Sequence, residues 1–312
     1  MHRIIFLHKK GHATNGSKIM RCDQLCQLAR EHIDGKWSFE VASLPHFKNT
    51  GALNAIIEDL AGSVVVFLKR AYNVFTSDQL ERLGARARKL IVDHVDAPTH
   101  PLPDYPFDLH LCASIAGTHA LRTQLNGPNS KATGSPTRVE TLIHHSDPRI
   151  VWTDFSKDVD LRVGYFGIPK NTILPRRGVE IPQYDGSQLS NDLLDRMTET
   201  NVHYAVRRNP DSNPRLLFKP FTKGFNAAAA GAHVLVNRDV CDAVEHLGYD
   251  YPFFIEGMSE ENISAGIERL RQAAGTGTWK DAFDAVNHTR QRSLPSYSAR
   301  SLGVILGRLM LS

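Results

Sequence analysis

Four residues crowded around one expected helix start carry the clearest chemistry in this 312-residue chain. In VHYAVRRNPDSNPRLLFKPFTKGFNAAAAGAHVLVNRD, Val202 to Asp239, a strand ends at Arg207–Arg208 and a polar loop follows. Lys219-Pro220-Phe221-Thr222-Lys223-Gly224 then leads into an alanine-rich helix that Gly231 is suited to end. A helix start offers backbone N–H groups without intrahelical partners and the positive end of the helix dipole, both of which favour an anion. Lys219 and Lys223 add charge there, and Arg208 approaches from the preceding strand. Thr222 is placed either to cap the helix or to donate to an anion's oxygen. Several cations at one helix start match a diphosphate better than a carboxylate; a solvated basic loop capping an ordinary helix is the competing reading.

Other residues of catalytic type are scattered. Asp93-His94-Val95-Asp96 directly follows an apolar run, at the carboxyl end of a strand where α/β sites assemble, or else forms a polar turn before Pro98. His12 lies in KKGHATNGSK, a loose polar loop between the first strand and helix. Asp158-Val159-Asp160 has the spacing of a divalent-metal motif, but it precedes an apolar strand instead of following one, and reads as a solvated turn. His144 and His145 lie next to Asp147, yet adjacent residues of a strand point to opposite faces. The four cysteines, Cys22, Cys26, Cys112 and Cys241, include no second Cys/His pair at zinc spacing. No metal and no cofactor are expected.

Short apolar runs alternate with helical patterns, the signature of βαβ units and a parallel sheet. Strands are expected at Arg3–His8, Ser38–Ser43, Ser63–Leu68, Leu90–Asp93, Leu109–Ala113 and Glu140–His144. Helices fall between them at Lys18–His32, Ala52–Leu60, Ser77–Arg88 and Gly117–Leu125, with Ser77 as the expected N-cap of the third. A polar stretch, His145–Lys157, reads as a linker. A second series follows: strands Leu161–Phe166, Val202–Val206, His233–Val236 and Tyr251–Ile255, and helices Gln188–Thr198, Thr222–Ala230, Val240–His246 and Ser259–Ala274. Two such series predict an α/β protein of two facing Rossmann-like domains, residues 1–155 and 156–297, with ligands bound in the cleft. Residues 298–312 form a last helix with an apolar stripe at Leu302, Ile305, Leu306 and Leu309.

Composition agrees with a folded α/β protein: 41% hydrophobic and 22% charged residues, with a net charge of +4. The excess is mild and no run of five basic residues occurs, so no nucleic-acid partner is expected. Mild basicity suits small phosphorylated ligands and also loose contact with an anionic membrane surface. The start, MHRIIFLHKKG, has too short an apolar run for a signal peptide, and no stretch approaches the ~18 apolar residues of a membrane span. A cytoplasmic protein is expected, able to sit at the inner membrane face.

The segment FKPFTKGFNAAAAGAHVLVNRD resembles the donor-binding segment of GT-B glycosyltransferases, especially bacterial polysaccharide enzymes with a KPxTKxxNAxAxG pattern. VGYFGIPKN opens the second domain as a glycine-bearing strand and loop does in that family. The likeness spans residues 161–275, while the first domain matches only in architecture. It implies that Lys219, Thr222, Lys223 and Asn226, with Gly167 and Lys170 in the facing loop, bind the diphosphate and part of the sugar of a nucleotide-sugar donor. It also implies that the first domain takes a saccharide or lipid-linked acceptor and that the last helix crosses back to that domain. Glu256, after its strand, is placed to bind a ribose or to stand idle at the surface.

Many retaining members carry two glutamates eight positions apart here; this chain has Phe218 and Asn226, which leans toward inversion. Inverting transfer needs a general base for the acceptor hydroxyl and a positive site for the leaving diphosphate. Asp93 or Asp96 is the leading candidate for the base, then His94, with His12 as a further option. The expected activity is metal-independent sugar transfer. A nucleotide-sugar epimerase or hydrolase on the same scaffold, or a catalytically silent binding subunit, are the alternatives.

Overall fold

The computed structural model describes residues 1–10, 16–45, 50–96, 105–128, 137–175, 180–186, 190–208 and 217–311. The chain divides into two compact α/β units. Met1–Ile143, Phe218–Pro220 and Ser298–Ser312 make the first, and His144–Leu217 with Phe221–Tyr297 make the second.

The first unit is built on a parallel sheet of β1 (His2–Lys9), β2 (Trp37–Leu44), β3 (Val64–Leu68), β4 (Lys89–Asp93), β5 (Leu109–Cys112) and β6 (Val139–Thr141). Their order is β2-β1-β3-β4-β5-β6, so the chain reverses direction across the sheet between β1 and β3. Strand β3 reads VVVFL and is buried along its whole length, as a strand covered on both faces must be. Alternation along β1 sends Ile4 and Phe6 into one core and Ile5 and Leu7 into the other. The second core is closed by Leu53 and Ile57 from α3 (Thr50–Asp59) and Leu80 and Leu83 from α4 (Ser77–Arg86). The N-cap of α4 is Thr76, one residue before the expected Ser77, and it forms a full capping box with Gln79.

The first core is covered by α2 (Leu25–His32) and by the last helix of the chain, α11 (Pro295–Leu311). Leu302, Ile305, Leu306 and Leu309 join Ile4, Phe6, Cys22 and Phe39 there, so the terminal stripe returns to the first unit. Between α1 (Gly16–Lys18) and α2, residues Ile19–Gln24 form a π-helical turn that carries Arg21 into the interior. α5 (Ile115–Asn126) starts at Ser114, whose hydroxyl accepts from Gly117 N.

The second unit carries β7 (Val163–Phe166), β8 (Gln183–Tyr184), β9 (Val202–Tyr204), β10 (His233–Asn237) and β11 (Phe254–Ile255), all parallel, in the order β11-β10-β9-β7-β8. Its helices are α6 (Asn191–Glu199), α7 (Thr222–Ala230), α8 (Ala243–Leu247), α9 (Glu260–Ala273) and α10 (Gly277–Ser293). Helix α7 has the expected limits. Gly231 ends it in the left-handed conformation at φ +80°, and a Cβ there would sit 1.9 Å from the Thr153 carbonyl. Ala227–Ala230 are buried, and α10 packs on this small-residue helix.

The chain enters the second unit at His144, earlier than the 155/156 boundary read from the sequence. The expected linker packs inside that unit: Thr153 N donates to Ala230 O, and Trp279 Nε1 donates to Phe155 O at 2.9 Å. Among the described residues, no helix is long and apolar enough to cross a membrane.

Candidate functional site

In the second unit the sheet reverses direction between β7 and β9, and ligands of open α/β sheets bind at the carboxyl ends of strands beside such a reversal. Strand β7 delivers Tyr165 and Gly167 to this edge, β9 runs on to Arg207, and α7 begins beside it in sequence. The N-cap position of α7 is Phe221 and no side chain caps it, so Thr222 is the first helical residue and not the cap. The N-cap residue therefore offers no side chain to the first-turn N–H groups.

Lys223, in the first turn, lays its ammonium over the Tyr165 ring at 3.7 Å from the centroid. Gly167 leaves room for it: a Cβ there would come within 2.9 Å of Lys223 Nζ and 3.0 Å of the Tyr165 hydroxyl oxygen. The Tyr165 hydroxyl donates to Ile168 O at 2.8 Å, and burial pushes the phenol up to about 12. Ring, lysine and glycine loop are therefore held as one piece.

Arg207, which the sequence reading passed over in favour of Arg208, is 6% exposed. Burial brings its pKa down to about 10, which still leaves it charged at neutral pH. Its backbone is clamped by Asn237, which accepts from Arg207 N at 2.9 Å and donates to Arg207 O at 3.0 Å. The Arg207 charge acts against the rise that burial imposes on the Tyr165 phenol, while the Lys223 ammonium sits on its ring. Arg208 is exposed and donates from Nε to Thr172 O at 3.3 Å. Two adjacent arginines at a strand end must point apart, but the sequence does not say which one turns inward.

The remaining expected donor residues spread out. Asn226 is buried, and its Oδ1 accepts from Asp147 N at 3.1 Å, tying the start of the second unit to α7. Lys170 is exposed on a short 3₁₀ turn, Pro169–Asn171. Glu256 is exposed at 72% and pairs with Arg238 at 2.5 Å. Lys219 groups with the first unit, where Ser114 Oγ donates to the neighbouring Phe218 O at 3.2 Å.

At the carboxyl edge of the first unit the three described candidate bases, Asp93, His94 and Asp96, differ sharply. Asp93 is 1% exposed; its Oδ2 accepts from Arg21 Nε at 2.7 Å and its Oδ1 accepts from Val95 N at 3.2 Å. Arg21 also donates to Leu142 O at 2.8 Å, so the pair bolts the π-helical turn to the ends of β4 and β6. Asp93 thus has a structural task. His94 is buried and shares a hydrogen bond between its Nε2 and Nδ1 of His110 at 2.9 Å, and burial brings His110 down to about 4.

Val95 follows at φ +58°, a conformation that strains a β-branched residue. This turn presents Asp96 at the surface, 29% exposed and paired with Lys69 Nζ at 2.8 Å. His12 lies outside the described residues.

Asp158 of the Asp-Val-Asp motif accepts from Arg162 at 2.6 Å and from Asn201 at 3.1 Å. Among the described residues, no group of three His, Cys, Asp or Glu side chains is arranged to hold a metal ion. All four cysteines are buried thiols. The arrangement that stands out chemically is a pre-set positive edge in the second unit, fixed before any ligand arrives.

No protein-family model matches the sequence, and no curated protein sequence matches it. Solved structures do match in fold. A glycosyltransferase from Rickettsia africae superposes with a TM-score of 0.66 at 9% identity, over 99% of this chain and 98% of that one. Sucrose-phosphate synthase from Thermosynechococcus elongatus gives 0.63 at 10% identity, over 100% of both chains. Anabaena HepE, solved with UDP and glucose, gives 0.62 at 13% identity, over 99% of this chain and 100% of that one. These likenesses show a fold of GT-B type.

Proposed function

We propose that this chain transfers a sugar from a nucleoside-diphosphate sugar, UDP-linked in the first instance, to a hydroxyl of a saccharide or lipid-linked acceptor. One observation carries the reading: the Lys223 ammonium is lodged on Tyr165 against Gly167, in the first turn of a helix whose N-cap residue, Phe221, has no capping side chain. Sugar transfer from such a donor releases a diphosphate, and charge must be in place where that negative charge grows. Lys223, the buried Arg207 and the α7 N-terminus meet this need, with Thr222 donating its hydroxyl and Lys170, Arg208 and Glu256 at the margins. The GT-B fold shared with UDP-binding HepE supports the choice of donor.

For the acceptor hydroxyl we assign Asp96 as the base, because its carboxylate reaches solvent while that of Asp93 is enclosed. Asp93, through Val95, positions the turn that presents it. Leaving-group stabilisation by lysine, arginine and the helix dipole requires no metal, and the outcome is inversion.

The test is incubation with UDP-[¹⁴C]glucose and a panel of saccharide and lipid-linked acceptors, with and without EDTA. Acceptor-dependent label transfer that persists in EDTA supports the proposal. Release of free glucose in the absence of acceptor points to a hydrolase, a changed nucleotide sugar to an epimerase, and nucleotide binding without turnover to a silent subunit. Activity lost in EDTA and restored by manganese overturns the metal-independent assignment.

A further inference from the structure

Three departures from local rules meet at the start of α7. Its N-cap residue is Phe221, where Ser, Thr, Asp or Asn would satisfy a first-turn N–H group. Gly224 stands inside the first turn, and glycine is disfavoured within a helix. His246 of α8 is buried, and its Nδ1 has no hydrogen-bond partner among the described residues. Such departures gather where a sequence serves a function ahead of local stability.

The Phe221 ring connects all three. It is buried and lies parallel to the His246 ring, with 5.9 Å between centroids and 6° between planes. Phe225, one turn on, meets both rings edge-on, at 5.7 Å from Phe221 and 4.7 Å from His246. A Cβ on residue 224 would come within 2.0 Å of Phe221 Cε1, so any side chain there would displace the ring.

His246 is itself anchored. Its carbonyl accepts from Thr289 Oγ1 of α10 at 2.8 Å, and the neighbouring Glu245 O accepts from Arg292 Nη1 at 3.0 Å. Burial first, then the Arg292 and His288 charges, bring the His246 pKa down to about 3, so the ring is neutral near pH 7. A neutral, immobile imidazole offers the phenyl ring a flat surface. The start of α7 is thus fixed twice, by Lys223 on the Tyr165 ring and by Phe221 on the His246 ring. Donors aimed at a growing charge work best when held in place beforehand.

We propose that His246 is a positioning residue for the diphosphate: through the Phe221 ring it holds the first turn of α7, with Lys223, where the donor's phosphates bind. This rests on the glycosyl-transfer reading above and adds to its donor site a residue that makes no contact with the donor. What position 246 must supply is the flat ring, and the ring nitrogens are dispensable.

The test is calorimetric titration of UDP into the wild-type chain, His246→Leu, His246→Phe, Phe221→Leu, Lys223→Ala and the His246→Leu/Lys223→Ala double variant. Leucine keeps the buried apolar volume and loses the ring, whereas phenylalanine keeps the ring. Ile263→Val, a buried truncation on α9, controls for a general loss of stability. His246→Leu should weaken UDP binding about fivefold or more, a partial loss of charge-assisted contacts. Phe221→Leu breaks the same stack from its other side and should show the same loss. His246→Phe should restore wild-type affinity, and Ile263→Val should not change it. In the double variant the loss should be smaller than the product of the two single losses, because both act on one contact. UDP affinity that falls in Lys223→Ala but stays at the wild-type value in His246→Leu and Phe221→Leu overturns the proposal and leaves the donor reading standing. A loss that His246→Phe fails to restore, or that multiplies independently with Lys223→Ala, marks general loosening and also overturns it. UDP affinity unmoved by Lys223→Ala counts against the donor reading, and the proposal falls with it.

Discussion

The ammonium of Lys223 rests 3.7 Å from the centre of the Tyr165 ring, and the room it occupies exists because residue 167 has no side chain. The ring holds a cation where β7 ends, at the reversal point of the second sheet. Gly167→Ala would put a methyl group 2.9 Å from Nζ and 3.0 Å from the Tyr165 hydroxyl oxygen, so the lysine or the loop must move. It should weaken UDP binding by about 1–2 kcal/mol, the cost of modest overpacking, while far-ultraviolet circular dichroism stays the same. Unaltered UDP affinity in this variant would show that the lysine is not needed where it sits.

Asp93 and Asp96, three residues apart, should part company in mutagenesis. Asp93→Asn leaves the Arg21 charge buried without its counter-ion and should cost about 3–5 kcal/mol of stability, read as a lower urea midpoint. Asp96→Asn should leave the urea midpoint within about 0.5 kcal/mol and reduce turnover by about 10²–10⁴-fold with UDP affinity intact. The reverse pattern, a stable but inactive Asp93→Asn protein, would return the base to Asp93.

Acid should destabilise the fold through its buried histidines. Burial lowers the pKa of His233 and His246 to about 3 and that of His110 and His203 to about 4. Above about pH 6.5 these rings are neutral in both folded and unfolded chains, so they add no pH dependence. As the pH falls below that value the unfolded chain takes up protons that the folded chain refuses until about pH 4 or 3. Each ring then removes about 1.4 kcal/mol per pH unit. Melting temperatures should stay level from pH 7.5 to about pH 6.5 and then fall steadily to pH 5. His233 has no hydrogen-bond partner on either ring nitrogen among the described residues and packs against Trp279 and Phe253. His233→Leu should flatten the fall, and an unchanged slope in that variant would contradict the assignment.

The terminal helix should be part of the first unit's stability. Leu306 is fully buried with Ile4, Phe6 and Phe39, so Leu306→Ala should cost about 2–5 kcal/mol. Hydrogen exchange should speed up in β1 and β2 before it does in β9 and β10. Faster exchange confined to the second unit would place the helix's support elsewhere.

Much of the scaffold was readable because parallel strands buried on both faces leave apolar runs, as in VVVFL at Val64–Leu68. Helix α7 was readable to the residue because its alanines and Gly231 mark both its packing and its end. Helix α10 was missed although Trp279, Ala282, Phe283 and Val286 repeat at helical spacing, because its polar face dominates the composition. Strand β8 is only two residues long and leaves no pattern to read. The structural role of Asp93 was hidden for another reason. Its partner Arg21 lies 72 positions away on a π-helical turn, and residue type alone does not reveal such a pair. Likewise, two adjacent arginines look alike in sequence, and only the strand's side-chain alternation buries Arg207 and leaves Arg208 outside.

Calorimetric titration of UDP into the wild-type chain and into Lys223→Ala tests the donor site most directly. Loss of one charge-assisted contact to a diphosphate should weaken binding by about 1.5–3 kcal/mol, a change in Kd of about 10–150-fold, with the melting temperature of the free protein little altered. Equal UDP affinity in two equally stable proteins would contradict a diphosphate site at Lys223, and with it the proposed sugar transfer.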